Sequence, residues 1–294
     1  MLKCRLAAVL EQPLTLARTR DDSMTHDPPG RDEPLPRSNL GANALATEQP
    51  PSTAGGGSDR LFADPGRALV DFAFDTQVAA VFPDMIRRSV PGYETVIPLS
   101  GLIAAGRVRS GVGTRVYDLG CSLGATTLAV LDRLDALTAQ IMAIDNAPAM
   151  IEAARLRVTD SRVTFTVADV RAVAFEPAAA VLLNYVLQFI PLPDRLPLLT
   201  RIHQALLPGG CLLVSGKVSA DDPVEQALFD STHLDFKRAN GYSELEIAGK
   251  RSALERVMPV ETERAHHALF AAAGFRTVHT WYRCLNWAAF LLEP

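Results

Sequence analysis

The chain has 294 residues, 48% of them hydrophobic and 21% charged, which is enough apolar material for one sizeable globular domain with a tail. Its formal net charge of −4 excludes the broad basic field with which nucleic-acid binders release counterions. Four widely scattered cysteines, Cys4, Cys121, Cys211 and Cys284, exclude both a zinc spacing and a dense disulfide scaffold, so a reducing cytosol and no metal are expected.

The apolar patch at residues 6–10 is cut by Glu11 and Pro13 before a signal or membrane core is reached, so no membrane association is expected. Residues 19–58 are rich in Pro, Asp, Arg, Ser and Gly and close on Pro50-Pro51-Ser52-Thr53-Ala54-Gly55-Gly56-Gly57-Ser58. With little apolar burial to offset ordering entropy, 1–58 is expected to be a disordered extension. A partner-binding tail, or a start mis-assigned upstream of a site such as Met24, is the alternative. From residue 59, Leu61, Phe62, Val70, Phe72, Phe74, Val78, Val81, Phe82, Met85 and Ile86 recur at roughly helical intervals. Helices are therefore expected over 59–110, broken at Pro83 and at Pro91-Gly92, with Tyr93 at a turn and a further helix over 96–105.

A regular alternation follows. Strands are expected over 115–119, 140–145, 163–167, 180–184 and 211–215, with helices over 125–134, 148–157 and 194–206 and a turn at Pro208-Gly209-Gly210. Such alternation means parallel strands joined by crossover helices. A helical insertion over 219–258 is placed to cover a cleft. A helix over 262–273, capped by Gly274, leads to strands over 277–284 and 287–292, close enough for an antiparallel hairpin. The expected fold is α/β: a doubly wound, Rossmann-like sheet of seven strands, mostly parallel, within one domain over 59–294.

The chemistry concentrates where the first strand meets its helix. Val116-Tyr117-Asp118-Leu119-Gly120-Cys121-Ser122-Leu123-Gly124 runs from an apolar strand into an acid and a glycine turn, and Ile141-Met142-Ala143-Ile144-Asp145 brings a second acid about twenty residues on. Gly120 lets backbone approach a ligand, and Asp145 is placed to accept both hydroxyls of a ribose. A dinucleotide site would carry a second glycine where Ser122 stands, and Asp118 would repel a pyrophosphate but suits the cationic amino group of a methionine moiety. S-adenosylmethionine is therefore favoured over NAD. Asp169, after the third strand, is placed to meet an adenine amino group, or else only caps a helix; Asn184, ending the fourth, faces the cleft, or else only shapes a turn. The spacing Gly120-x-Ser122-x-Gly124 is also that of a hydrolase elbow, with His203, His266, His267 and His279 as later partners, so a serine hydrolase remains a rival. The run from Asp235 to Ile247 lies in the insertion. Its Arg238 can clamp a carboxylate through paired charge-assisted hydrogen bonds, unless the run is only a solvated helix face.

From Asp59 onward the chain resembles the carboxy-S-adenosyl-L-methionine synthases, relatives of class I methyltransferases. The matching strings are Val81-Phe82-Pro83-Asp84-Met85-Ile86, Arg88-Ser89-Val90-Pro91-Gly92-Tyr93, Val116 to Gly124, Ala143-Ile144-Asp145-Asn146, Leu187-Gln188-Phe189 and Asp235 to Ile247. The resemblance implies conversion of S-adenosyl-L-methionine and prephenate to carboxy-S-adenosyl-L-methionine and phenylpyruvate. It implies a homodimer whose product passes to a tRNA carboxymethyltransferase for wobble-uridine modification. It assigns cofactor contacts to Tyr93, Gly120, Cys121, Ser122, Asp145, Asn146, Asp169, Val170 and Asn184, and the new carboxylate to Arg238. Two departures stand out: Ser215-Gly216-Lys217 lacks the acid usual at its centre, and His233-Leu234-Asp235-Phe236 lacks the second histidine. Read without the resemblance, the residues stop at an S-adenosylmethionine-dependent methyltransferase of unknown acceptor, and the departures also admit a degenerate cofactor-binding module.

Overall fold

Seven strands form one sheet in the computed structural model, which describes residues 59–61, 74–134, 139–255 and 257–294. The expected extension over 1–58 and the apolar residues Phe62, Val70 and Phe72 lie outside the described residues. The strands are β1 (Arg115–Leu119), β2 (Gln140–Asp145), β3 (Val163–Val167), β4 (Ala178–Asn184), β5 (Leu206–Lys217), β6 (Thr277–Cys284) and β7 (Trp287–Glu293), in the order β3-β2-β1-β4-β5-β7-β6. β1 to β5 pair in parallel, while β7 runs antiparallel between β5 and β6. This is the expected doubly wound sheet with its antiparallel hairpin. All seven residues of β4 are buried, as a parallel strand covered on both faces requires.

The strand order reverses between β1 and β4, which is where open α/β sheets leave a crevice at their carboxyl edge. The helices around it are α1 (Thr76–Ser89), α2 (Tyr93–Arg109), α3 (Ala125–Leu131), α4 (Pro148–Arg157), α5 (Leu192–Ala205), α6 (Pro223–Ala239), α7 (Glu244–Glu255) and α8 (Glu263–Ala272). Among the described residues, no helix is long and apolar enough to cross a membrane.

Three of the breaks read in the sequence are placed differently in the structure. Pro83 does not break the first helix: Asp75 caps α1 by accepting the N–H groups of Gln77 and Val78 at 2.9 Å, and buried Val78, Ala79 and Met85 hold it on both sides of the proline. Their packing outweighs one lost helical hydrogen bond. Tyr93 is the first residue of α2 rather than part of a turn, because Gly92 at φ 80° supplies the left-handed entry. Pro208-Gly209-Gly210 belongs to β5, whose pairing with β4 shifts register between Ala178 and Ala180 and so admits the irregular residues.

One buried polar cluster joins the start of the domain to the insertion. Lys250 of α7 pairs with Asp59 and donates to the hydroxyl of Tyr242, which itself donates to Asp59. The guanidinium of Arg88 lies 4.0 Å from the Tyr242 ring centre and bonds Asp84 at 3.0 Å. Burying these charges is tolerable because each is paired.

Candidate active site

A cavity of 770 Å³ opens at the carboxyl edge of β1, β2 and β4, within the range of roughly 300–1,000 Å³ common to small-molecule sites. The sequence-derived residues Tyr93, Gly120, Cys121, Ser122, Asp145, Asn146, Asp169, Val170 and Asn184 all line it. At Gly120, φ is 72° and a Cβ would stand 2.2 Å from Val186 Cγ2, so the turn accepts no side chain. Ser122 is held at φ 49° by its N–H, which donates to Asp145 Oδ2 at 2.9 Å. Asp145 Oδ1 accepts the Ala147 N–H at 2.9 Å. Burial raises the pKa of this carboxyl, and the backbone donors work against that rise. Each oxygen keeps a lone pair for a further donor such as a sugar hydroxyl.

Asn184 is fixed by buried hydroxyls: its Oδ1 accepts from Ser215 at 2.9 Å and its Nδ2 donates to Thr126 at 3.3 Å. Asp169 both lines the cavity and caps the short 3-10 turn Val170–Ala172. Hydrogen bonds from Arg171 hold its carboxyl below the usual range. The rings of Tyr93 and Tyr185 lie 5.5 Å apart, and burial pushes both phenols up in pKa, so both stay protonated donors.

Asp118 is placed differently from the expectation. It is 1% exposed, lies off the cavity surface and accepts from the Thr127 hydroxyl at 2.6 Å. Desolvation pushes its pKa up to about 7. Its reach to a methionine amino group is thereby removed, because the strand turns its side chain into α3. The hydrolase rival fails on geometry as well. The Ser122 hydroxyl lies 3.5 Å from Met150 Sδ, while His203 packs on Phe275, His266 bonds the Thr262 carbonyl, His267 approaches Glu263 and Thr280, and His279 is exposed. None of these histidines lines the cavity.

Arg238 requires a correction. It is not among the residues lining this chain's cavity; its side chain is 42% exposed and is pinned to Glu244 at 2.5 Å and Asp235 at 2.8 Å. The reason is the partners its guanidinium takes. Gln226, Asp230, His233, Leu234 and Lys237 of α6 line the cavity. The Arg238 guanidinium, at the end of the same helix, is instead drawn to the exposed carboxylates of Asp235 and Glu244.

A methyltransferase-domain family model matches residues 116–210. The carboxy-S-adenosyl-L-methionine synthase of Shewanella amazonensis is 50% identical over 235 residues, covering 79% of this chain and 96% of that protein. That of Pseudomonas putida strain GB-1 is 48% identical over 244 residues, covering 80% and 98%. The chain belongs to the carboxy-S-adenosyl-L-methionine synthase family. An O-methyltransferase family protein from Burkholderia thailandensis shares the fold, with a TM-score of 0.54 at 19% identity over 75% of this chain and 60% of that one.

For a carboxy-S-adenosyl-L-methionine synthase, the informative wall is the one sequence reading left out. Lys217, Lys237, Lys250 and Arg251 line the cavity together with His233 and Trp287. His233 donates from Nε2 to the Ser89 carbonyl at 2.8 Å, which fixes the tautomer, and burial pushes its pKa down to about 4. The polar face of α6 at residues 226, 230, 233 and 237 was the available signal. The synthase-family departures also have a structural context: a Cβ at Gly216 would lie 3.1 Å from Gln188 Oε1, the group that accepts the Lys217 N–H, and Leu234 lines the cavity.

Proposed function

We propose that this chain converts S-adenosyl-L-methionine and prephenate to carboxy-S-adenosyl-L-methionine and phenylpyruvate. The single observation carrying this reading is one cavity with two chemically different ends, an acid-and-glycine end suited to a nucleoside and a cationic end suited to a carboxylate substrate. Family membership supports the same reaction.

In this reading Tyr93, Gly120, Cys121, Ser122, Asp145, Asn146, Asp169, Val170 and Asn184 contact the cofactor-substrate, Asp145 through the ribose. The ring carboxyl of prephenate leaves as carbon dioxide, its bonding pair aromatises the ring and hydroxide is expelled. A proton lost from the sulfonium methyl balances that hydroxide as water, and the resulting ylide carbon bonds the carbon dioxide. The protein supplies orientation, water exclusion and electrostatic preorganisation rather than a nucleophile.

We further propose a cytosolic homodimer that binds neither nucleic acid nor membrane and hands its product to a separate tRNA carboxymethyltransferase for wobble-uridine modification. Arg238 retains its proposed role toward the new carboxylate only as a group presented outward from α6 to the cavity of a second copy. Mixing an Arg238→Ala chain with a chain disabled at Asp145 is expected to regenerate one working site; no recovery removes Arg238 from the mechanism.

The deciding experiment is the mass of the nucleotide retained through purification, combined with turnover of added prephenate. A carboxylated nucleotide supports the proposal, whereas S-adenosylmethionine alone, with no turnover, supports methyl transfer to another acceptor.

A further inference from the structure

Lys237 sits on the cavity face of α6, four residues after His233, and faces Lys217 of β5 and Lys250 and Arg251 of α7 across the cavity. Lys250 is neutralised by Asp59, and Asp230 is the acid that α6 contributes to this wall. Among the described residues no group accepts from the Lys237 ammonium; burial and the three neighbouring cations all act against its charge. On the same wall, Trp287 packs edge-on against His233 at 5.9 Å. One charged donor lining the cavity therefore lacks an anion. Leaving a charged donor unsatisfied costs more than an ordinary hydrogen bond returns, so the arrangement is made good by a ligand that brings acceptors.

We propose that Lys237 anchors a carboxylate of the co-substrate and makes the cationic end of the cavity selective for an anionic partner of the bound nucleoside. The inference rests on the carboxyl-transfer reading for the identity of that partner, though not for its charge. The four basic residues come from β5, α6 and α7, so the subsite is complete only when the insertion is packed over the sheet. An incoming carboxylate relieves the repulsion from Lys217, Lys250 and Arg251, and Lys237 then holds its proton more firmly in the complex than alone.

The test uses the full chain and three proteins: wild type, Lys237→Met and Lys237→Arg. Binding of prephenate in the presence of S-adenosylhomocysteine is measured by calorimetry, alongside S-adenosylhomocysteine affinity alone. Lys237→Met is expected to weaken prephenate binding roughly ten- to hundredfold and to leave the nucleoside affinity unchanged. Lys237→Arg is expected to restore most of it. Desolvation and the three cations push Lys237 down to about 8, so wild-type affinity for prephenate falls above that pH as the ammonium is lost. The arginine variant keeps its affinity there. Equal loss of both ligands in Lys237→Met, or the same alkaline fall in Lys237→Arg, overturns the proposal. Failure of the carboxyl-transfer reading is separately visible as wild type that binds the dianion without forming carboxylated nucleotide.

Discussion

Asp145 accepts the backbone N–H of Ser122 through one oxygen and that of Ala147 through the other, each at 2.9 Å, so the acid closing β2 fixes the turns after β1 and β2 together. Asparagine offers one oxygen and one NH2, so Asp145→Asn sets a donor against one of those N–H groups. The variant is expected to lose about 1–3 kcal/mol of stability and at least tenfold in S-adenosylmethionine affinity. Urea unfolding and calorimetry read the two losses separately.

Gly120→Ala combines a left-handed backbone with a 2.2 Å approach to Val186 Cγ2. Strong loss of nucleoside binding is expected. Adding Val186→Ala removes the clash while leaving backbone strain of roughly 1–2 kcal/mol, so the double variant is expected to bind better than Gly120→Ala and worse than wild type.

Asp118 is buried with its pKa pushed up to about 7 from an ordinary 3.8. The folded chain therefore holds a proton that the unfolded chain releases, and this contribution is complete below about pH 4 and lost as pH rises through about 7. Asp118→Asn stays neutral throughout, and its amide oxygen still accepts from Thr127. Ligand-free Asp118→Asn is expected to lose less stability than wild type between pH 4 and pH 8, a difference of roughly 3–5 kcal/mol. Matching pH profiles from urea unfolding would show that this carboxyl does not titrate in that range.

His233 has the opposite sign. Burial lowers it from 6.5 to about 4, so the unfolded chain takes up a proton first, and the stability present above pH 6.5 is lost as pH falls through about 4. His233→Phe keeps the ring against Trp287 but leaves the Ser89 carbonyl without its donor. It is expected to be about 1–3 kcal/mol less stable at pH 7 and to lose part of the wild-type fall between pH 6.5 and 4. Thermal melts across that interval measure the slope.

The nucleoside end of the cavity was legible because its signals are local. Gly120 must be glycine for reasons contained in one turn, and Asp145 follows it at a distance set by a single helix and strand. The sheet was legible for the same reason, since β1, β2 and β4 each carry a buried run followed by a polar or glycine break. The cationic end was not. Lys217, Lys237 and Lys250 come from three elements, and nothing in the sequence states that α6 and α7 turn them toward one point. Arg238 shows another limit: its neighbourhood matched a family string, but a string does not state that Glu244 and Asp235 hold its guanidinium away from this chain's own cavity. Asp118 was misjudged because a strand residue's side is decided by the pleat, and Thr127, nine positions on, was the partner that burial selected.

The placement of β7 bears on how the molecule is made. β5 pairs on one side with β4 and on the other with β7, whose residues follow those of every other strand in the sheet. During synthesis, the parallel half can assemble while β5 still presents an open row of amides and carbonyls, and that edge is covered only when Trp287–Glu293 has emerged. Trp287, which carries an indole into the cavity wall, arrives with that same strand, so a nascent chain acquires a finished pocket and a protected sheet in one late step.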